Sequence, residues 1–552
     1  MDELVFAPLG GLGEIGMNAA LYGFGPQGRK KWILVDCGVS FAGDDLPGVD
    51  LVLPDLSFIE EERKNLLGIV ITHAHEDHIG AVVDLWPRLH APIYATKFAA
   101  NLLEIRKLNE PNAPKLPITR VAPGKPFNLG PFSCEFINVA HSIPESNALA
   151  LKTSLGTIVH TGDWKIDETP IVGQPTDETR LRALGDEGVL ALICDSTNVV
   201  RDGISPSESD VARSLRDIIQ NSKNRVAVTT FASNVARMRA VAEAAEAAGR
   251  QVCVVGRAMD RVVEVSRELG LLDGLKPFLG ADAAQRLPRN KVVALLTGSQ
   301  GEPRAAMARI AFGDHPDLSL AGGDRVIFSS RAIPGNEKGV NRIINELVKN
   351  DVEVITDRTH LVHVSGHPRR DELKRMYEWV RPQIAIPAHG EALHLTEHAA
   401  FAKAQGVPNV VRAFNGAMVR LAPGKAEIID HVRAGRRLKD GELLIDVADP
   451  TIGERRKLSF VGIVTIAIAI SGKGEVVTEP EIALMGLPPR SKNGVDMVDL
   501  VGDVVDQTLE GLPRQRRRSA ETVEKAVERA VRGAVNQAWG KKPVCHVLVL
   551  EV

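Results

Sequence analysis

The first third of the chain repeats one pattern: a short apolar run, polar residues at its end, then a glycine-containing turn. Runs of this length predict buried strands at residues 32–38, 67–72, 156–163 and 189–195. The first carries Asp36 near its end, the second runs straight into His73, and the last two close on Asp163 and Asp195. Polar groups just beyond buried strand ends are where α/β enzymes place their sites.

The texture changes after residue 204. Residues 207–222 and 234–248 have helical spacing and alternate with short strands at 226–230, 251–255, 292–296 and 326–329. That alternation predicts a separate, mainly parallel sheet. Near residue 362 the strand-end pattern returns in His363-Val364-Ser365-Gly366-His367, followed by a run ending in His389-Gly390. One fold is therefore interrupted by another. The implied divisions are 1–203 and 362–435 for the outer domain, 204–361 for the insertion, a linker at 436–449 and a C-terminal domain at 450–552.

The tail reads as two strands, a helix near 495–509, a longer helix near 520–539 and a strand at 544–552. Val523, Val527, Ala530, Ala534, Val535 and Ala538 recur at helical spacing and predict one buried face. The longest apolar stretch, residues 458–470, is too short to span a bilayer as a helix. Its Val and Ile content, ended by Ser471-Gly472-Lys473-Gly474, predicts a buried strand and a turn.

With 552 residues the chain exceeds a single core, and 44% hydrophobic with 25% charged residues is ordinary for a globular protein. A net charge of −3 excludes a uniformly basic coat but allows a local basic channel, so any nucleic-acid reading must rest on the site. The segment Met1-Asp2-Glu3-Leu4 has no signal-peptide character, and the five cysteines are scattered without a CxxC pair. A reducing cytoplasm and no membrane partner are the expectation.

His73-Ala74-His75-Glu76-Asp77-His78 puts three imidazoles and two carboxylates directly after a strand. Such a donor set suits zinc best, with manganese or magnesium as alternatives. In this turn His73 and His75 can point to one ion while Asp77 and His78 reach a second. His141, Asp163 and His389, each at a strand end, bring the ligands to seven. Two divalent ions roughly 3.5–4 Å apart generate hydroxide near neutral pH and clamp a phosphoryl displacement, so hydrolysis is the predicted chemistry. From the metal motif alone the bond cleaved stays open between lactam, thioester and phosphodiester.

The order Asp36, HxHxDH, His141, Asp163, His389 resembles the metallo-β-lactamase superfamily. The resemblance implies an αββα sandwich in which His73, His75 and His141 hold one ion and Asp77, His78 and His389 the other. It further implies that Asp163 bridges them and that Asp36 supports the histidine loop. The insertion, with Asp195 in Cys194-Asp195-Ser196-Thr197-Asn198, His367 and His389 in order, resembles the β-CASP nucleases, and the full motif set resembles the ribonuclease J family. The motifs include residues 10–18, Thr230 to Asn234, Thr297 to Pro303 and His363 to His367, and the likeness covers nearly the whole chain, including a small α/β C-terminal domain.

That resemblance implies RNA as substrate, 5′-to-3′ exonuclease action on 5′-monophosphate ends beside endonuclease cleavage, and a role in RNA processing and decay. Asp77, Asp195 and His367 are the catalytic candidates, with His367 protonating the leaving 3′-oxygen and Asp195 orienting it. Ser365-Gly366 and Ser299-Gln300 form small-residue turns suited to phosphate, Phe231 is a candidate for stacking on a base, and Ser233 and His363 complete the RNA-binding set. The basic run at residues 514–518 reads as a solvated charge cluster. A homodimer or homotetramer, and other RNA-decay proteins, are the expected partners. Two further classes share the motif. A glyoxalase-type hydrolase of small esters needs neither the insertion nor His367 with Asp195, and a non-catalytic RNA-binding scaffold does not need all seven ligands.

Overall fold

In a computed structural model, which describes residues 1–109 and 113–552, the chain forms two compact units. One comprises residues 1–41 and 51–437, the other residues 42–50 and 438–552.

Two sheets stack in the first unit. The eight-stranded sheet runs in the order Glu427–His431, Ala417–Ala422, Glu3–Gly10, Ala19–Gly25, Lys31–Val35, Leu66–Val70, Ile93–Ala95, Ile118–Arg120. The seven-stranded sheet runs Asn409–Val410, Ile384–Ala388, Ala191–Asp195, Gly156–His160, Asn147–Thr153, Phe132–Asn138, Phe127–Leu129. Between them lies an apolar layer that includes Phe6, Ile33 and Val35 from the first sheet and Phe136, Leu149 and Ile193 from the second. The other face of the second sheet is covered by helices Glu178–Glu187 and Arg370–Val380, through Leu181, Leu184, Leu373 and Met376. This is the sandwich that the superfamily resemblance implies.

The insertion is visible in the strand pairing. Ala191–Asp195 pairs in parallel with Ile384–Ala388, setting Asp195 opposite Ala388, although almost two hundred residues of sequence intervene. Those residues include an all-parallel sheet in the order Gln251–Val255, Val292–Leu296, Val226–Thr229, Arg325–Phe328, Glu353–Ile355. Its helices start where local chemistry says they should. Ser207 caps Glu208–Gln220 in a capping box with Asp210, and Asn234 caps Val235–Ala247 by accepting from the Arg237 N–H.

In the second unit, strand Ile463–Ile470 lies between Glu481–Met485 and Val544–Glu551. Its buried positions, Val464, Ile466, Ile468 and Ile470, pack on helices Met497–Gly511 and Ala520–Trp539. Among the described residues no helix is long and apolar enough to cross a membrane.

Four expectations need correction. Residues 458–470 are not one strand: Pro450–Val461 is a helix, broken by Gly462 at φ +66, and the strand begins at Ile463. Leu458 and Phe460 are exposed, which removes the burial that a continuous strand requires. The segment 436–449, expected as a linker, carries strands Arg436–Asp440 and Leu443–Asp446. In the last helix Val531 is buried, whereas Ala530 and Ala534 are only partly so. Finally, no strand ends at His363: residues 363–367 lie in a loop, in which the Gly366 carbonyl accepts from His141 Nδ1 and the His367 carbonyl from Asn198 Nδ2.

Candidate metal centre

Strands Lys31–Val35 and Leu66–Val70 run in parallel, so their carboxyl ends come side by side. Asp36 leaves the first in a left-handed conformation (φ +62) and is buried. It accepts from the Thr72 N–H (2.8 Å), the Thr72 hydroxyl (2.8 Å) and His78 Nδ1 (2.7 Å). A carboxylate on Nδ1 fixes the tautomer and turns the Nε2 lone pair toward the cluster, the usual outer partner of a metal-binding histidine. Gly38 lets the histidine loop close on this strand end: a Cβ there would lie 1.7 Å from the Asp77 carbonyl oxygen.

Two four-residue groups result, each with ligand atoms within 4.8 Å of one another: His73, His75, His141, Asp163, and Asp77, His78, Asp163, His389. Asp163 belongs to both. In the first, His75 Nδ1 and His141 Nε2 stand 3.0 Å apart, while His141 Nδ1 donates to the Gly366 carbonyl at 2.7 Å. In the second, His78 Nε2 lies 3.3 Å from Asp163 Oδ2, and His389 Nε2 lies 3.2 Å from Asp77 Oδ2. A third group joins Asp163 and His389 to Asp195 and His367.

The donors fit cations on two further counts. Among the described residues His73 Nε2 is buried without a hydrogen-bond partner, a costly state that coordination would relieve, and Asp163 Oδ1 faces His389 Nδ1 at 3.1 Å outside hydrogen-bond geometry. Burial, with neighbouring histidines, holds His73 and His141 well below the ordinary range and His75 at about 4, so all three are neutral, as ligands must be. His78 goes the other way. Against the cost of burial, Asp163, Asp77 and Asp36 raise it to about 10, and carboxylates likewise hold His389 well above its usual value. Protons there balance the acids that cations would otherwise balance.

Beside this centre, His367 Nδ1 sits 2.7 Å from Asp195 Oδ2. Burial opposes the imidazolium, but Asp195 and Asp163 outweigh it and raise the His367 pKa. Asp195 is also steadied by the Thr197 N–H at 2.8 Å.

The sequence-derived RNA-binding residues are only partly gathered here. Ser365 and Gly366 adjoin the centre. The Ser365 hydroxyl accepts from Asn198 Nδ2 (2.8 Å) and from the His367 N–H (3.3 Å), and a Cβ on Gly366 would meet the His141 ring at 2.6 Å. Phe231 and Ser233 follow strand Val226–Thr229, and Ser299 and Gln300 follow Val292–Leu296, at carboxyl ends of the inserted sheet. Gln300 is a poor phosphate donor: its amide donates to the Arg331 carbonyl (3.0 Å) and its oxygen accepts from the Ile333 N–H (2.8 Å). Among the described residues His363 Nδ1 is buried without a partner, and burial together with Arg237, Arg331, Lys165 and Arg201 holds its pKa well below the ordinary range. Asn18 carries a role that motif reading left unassigned. Its amide is 3.1 Å from the Asp77 carbonyl and 3.0 Å from His78 Nε2, and its signal in sequence was the glycine-rich run of residues 10–18.

Fold and site together define a metal-dependent hydrolase of the β-lactamase superfamily with an inserted β-CASP domain. Family models match in alternation along the chain: the β-lactamase superfamily domain at 31–178, the ribonuclease J β-CASP domain at 223–347, the Zn-dependent metallo-hydrolase RNA specificity domain at 351–412 and the ribonuclease J C-terminal domain at 450–552. A ribonuclease J of Sinorhizobium meliloti is 53% identical over 551 residues, covering 100% of this chain and 98% of its own. Another, of Mycolicibacterium smegmatis, is 39% identical, covering 99% and 96%. The chain belongs to the ribonuclease J family, and is a metal-dependent ribonuclease acting on RNA. A solved structure from Enterococcus faecalis, described as a protein of unknown function, shares the fold with TM-score 0.52 at 16% identity, covering 76% of this chain and 100% of that one.

Proposed function

We propose that the chain hydrolyses RNA phosphodiesters with two divalent ions, zinc fitting the donors best, as a 5′-to-3′ exonuclease preferring 5′-monophosphate ends and as an endonuclease, in RNA processing and decay. The observation that carries this reading is Asp163 shared between two complete ligand groups, with the His367–Asp195 pair at their edge. His73, His75 and His141 would hold one ion and Asp77, His78 and His389 the other, with Asp163 in both groups, and such ions would supply Lewis acidity toward the attacking water and the phosphoryl oxygens.

The chain's own residues do the rest. Asp77, whose side chain is 28% exposed against 2% for Asp163, is the carboxylate open to the proton of the attacking water. As the water oxygen bonds to phosphorus and the P–O3′ bond breaks, His367 gives its proton to O3′, leaving a 3′-hydroxyl and a 5′-phosphate. Asp195 keeps His367 protonated and oriented until that moment. Ser365 and Gly366, with His363 and Ser233, are the residues proposed to receive a terminal phosphate, and Phe231 to stack on a base.

One RNA prepared with three 5′ ends tests the finer reading. Mononucleotide release is expected fastest from the monophosphate and slower from the triphosphate and hydroxyl, with internal cleavage indifferent to all three. Equal mononucleotide release from every end would remove the terminal-phosphate pocket and the exonuclease preference with it.

A further inference from the structure

Glu372, outside every motif described above, lies near the start of helix Arg370–Val380 and is fully buried. Its partners are three main-chain N–H groups, each at 2.9 Å, one from the cap of its own helix and two from segments elsewhere in the chain. Oε1 accepts from Ile166, and Oε2 accepts from both Ser205 and Arg369. Each segment leads to the site. Ile166 follows closely after Asp163, and its neighbour Lys165 donates its N–H to the Ala140 carbonyl, next to His141. Arg369 follows closely after His367. Ser205 lies where the chain crosses into the insertion, and its hydroxyl turns back to donate to the His367 carbonyl at 3.3 Å, beside Asn198 Nδ2 at 3.1 Å.

One carboxylate therefore pins the segment carrying the shared ligand to the loop carrying the proton donor, and does so twice on the loop side. Carboxylates are acceptors only, and an acceptor of three N–H groups has no neutral substitute of the same shape. The cost of burying an ionised group is warranted where it holds a geometry that packing alone would leave loose.

We propose that Glu372 is a positioning residue for the proton-donating step, holding His367 in register with Asp163 through Ser205 and the main chain of Arg369. It touches neither substrate nor the reacting atoms. Displacements near 1 Å in such a step cost about 10²-fold in rate. This inference rests on the reading of His367 as proton donor to the leaving oxygen.

In Glu372→Gln, an amide of the same shape must present N–H to at least one N–H donor, so one side of the clasp opens. The measurement compares two linkages in one RNA context: a natural phosphodiester, and a 3′-bridging phosphorothiolate whose thiolate leaves without a proton. Relative to wild type, Glu372→Gln should slow the natural linkage by about 10- to 100-fold in kcat, with KM and metal content unchanged. The phosphorothiolate should slow by less than about threefold, since nothing but the donor is misplaced. Ser205→Ala, which keeps the N–H that Glu372 holds and deletes only the hydroxyl on the His367 carbonyl, tests the link from Ser205 to His367 and should show the same selectivity at smaller size; Glu372→Asp, which keeps the carboxylate but shortens its reach, carries the test if Glu372→Gln does not fold. Equal slowing of both linkages, or no slowing in either variant, overturns the proposal. His367→Ala separates the failures. If that variant is itself unselective, the proton-donor reading falls; if it alone is selective, only the role of Glu372 falls.

Discussion

Asp36→Asn isolates what the carboxylate behind the histidine loop contributes. Asp36 Oδ1 receives the Thr72 N–H, and Oδ2 receives the Thr72 hydroxyl and His78 Nδ1, all at 2.7–2.8 Å. An amide can satisfy only one side. With its oxygen toward Thr72 N–H, its NH2 faces His78 Nδ1, which must then accept, and the ring proton moves to Nε2 where a cation should sit. With its oxygen toward His78, its NH2 opposes the Thr72 N–H and the loop shifts. Loss of such an outer partner costs about 10- to 100-fold in metal affinity, or about 1.4–2.8 kcal/mol. Asp36 contacts His78 directly and His73 only through the Thr72 hydroxyl, which stands 3.0 Å from His73 Nδ1, so the larger effect should fall on the group containing His78. Metal content after dialysis against graded chelator should therefore show two classes in the variant, one weakened by that factor and one within about threefold of wild type. Two unweakened classes would refute the assignment of Asp36, and equal weakening of both would refute the separation into two groups.

His75→Ala should abolish hydrolysis while leaving gel-shift affinity for RNA nearly intact, because affinity comes mainly from phosphate contacts; near-normal turnover would remove His75 from the metal centre. Metal binding near neutral pH should release protons, since His78 and His389 are held protonated in the cation-free site. Protons and cations compete for those nitrogens, so affinity should fall as pH is lowered; titration calorimetry in buffers of different ionisation enthalpy reads both, and no net release contradicts it. Arg237→Met leaves the Glu208 carboxylate buried without its 2.9 Å partner and strips Ser329 and Val362 of a donor. Urea unfolding should show a loss of about 3–5 kcal/mol, and a change below about 1 kcal/mol would mean that the pair is not stabilising its surroundings.

Strands and the clustering of the candidate ligands were legible in sequence for a shared reason. Apolar runs marked the buried strands, and in this fold the polar residues ending those runs are the ones that converge, as His73, Asp163 and Asp195 do. What escaped lies in contacts with no local signature. The Gly366 carbonyl orients His141, from which it is separated by 225 residues, and nothing about a glycine announces that its carbonyl will be used. Gln300 resembled a phosphate donor by its turn context, yet its amide is consumed by a neighbouring loop. Residues 458–470 were misread because composition does not tell a strand from the end of a helix when only a glycine separates them. Glu372 sits in a helix rich in charged residues, and three main-chain donors cannot be inferred from a side chain's type.

The parallel pairing of Ala191–Asp195 with Ile384–Ala388 also dictates when the centre comes into being. Asp77 and His389 are 312 residues apart. At ribosomal speeds of 5–20 residues per second, about 15 to 60 s pass between synthesis of the histidine loop and synthesis of its last partner. Throughout that interval the growing polypeptide holds most of a cutting apparatus beside the messenger that encodes it, yet lacks the histidine that completes the second group. A product released early from a broken message, ending anywhere before residue 389, lacks that histidine too, and on the proposed ligand assignment only a chain read past that codon turns on the kind of polymer it was copied from.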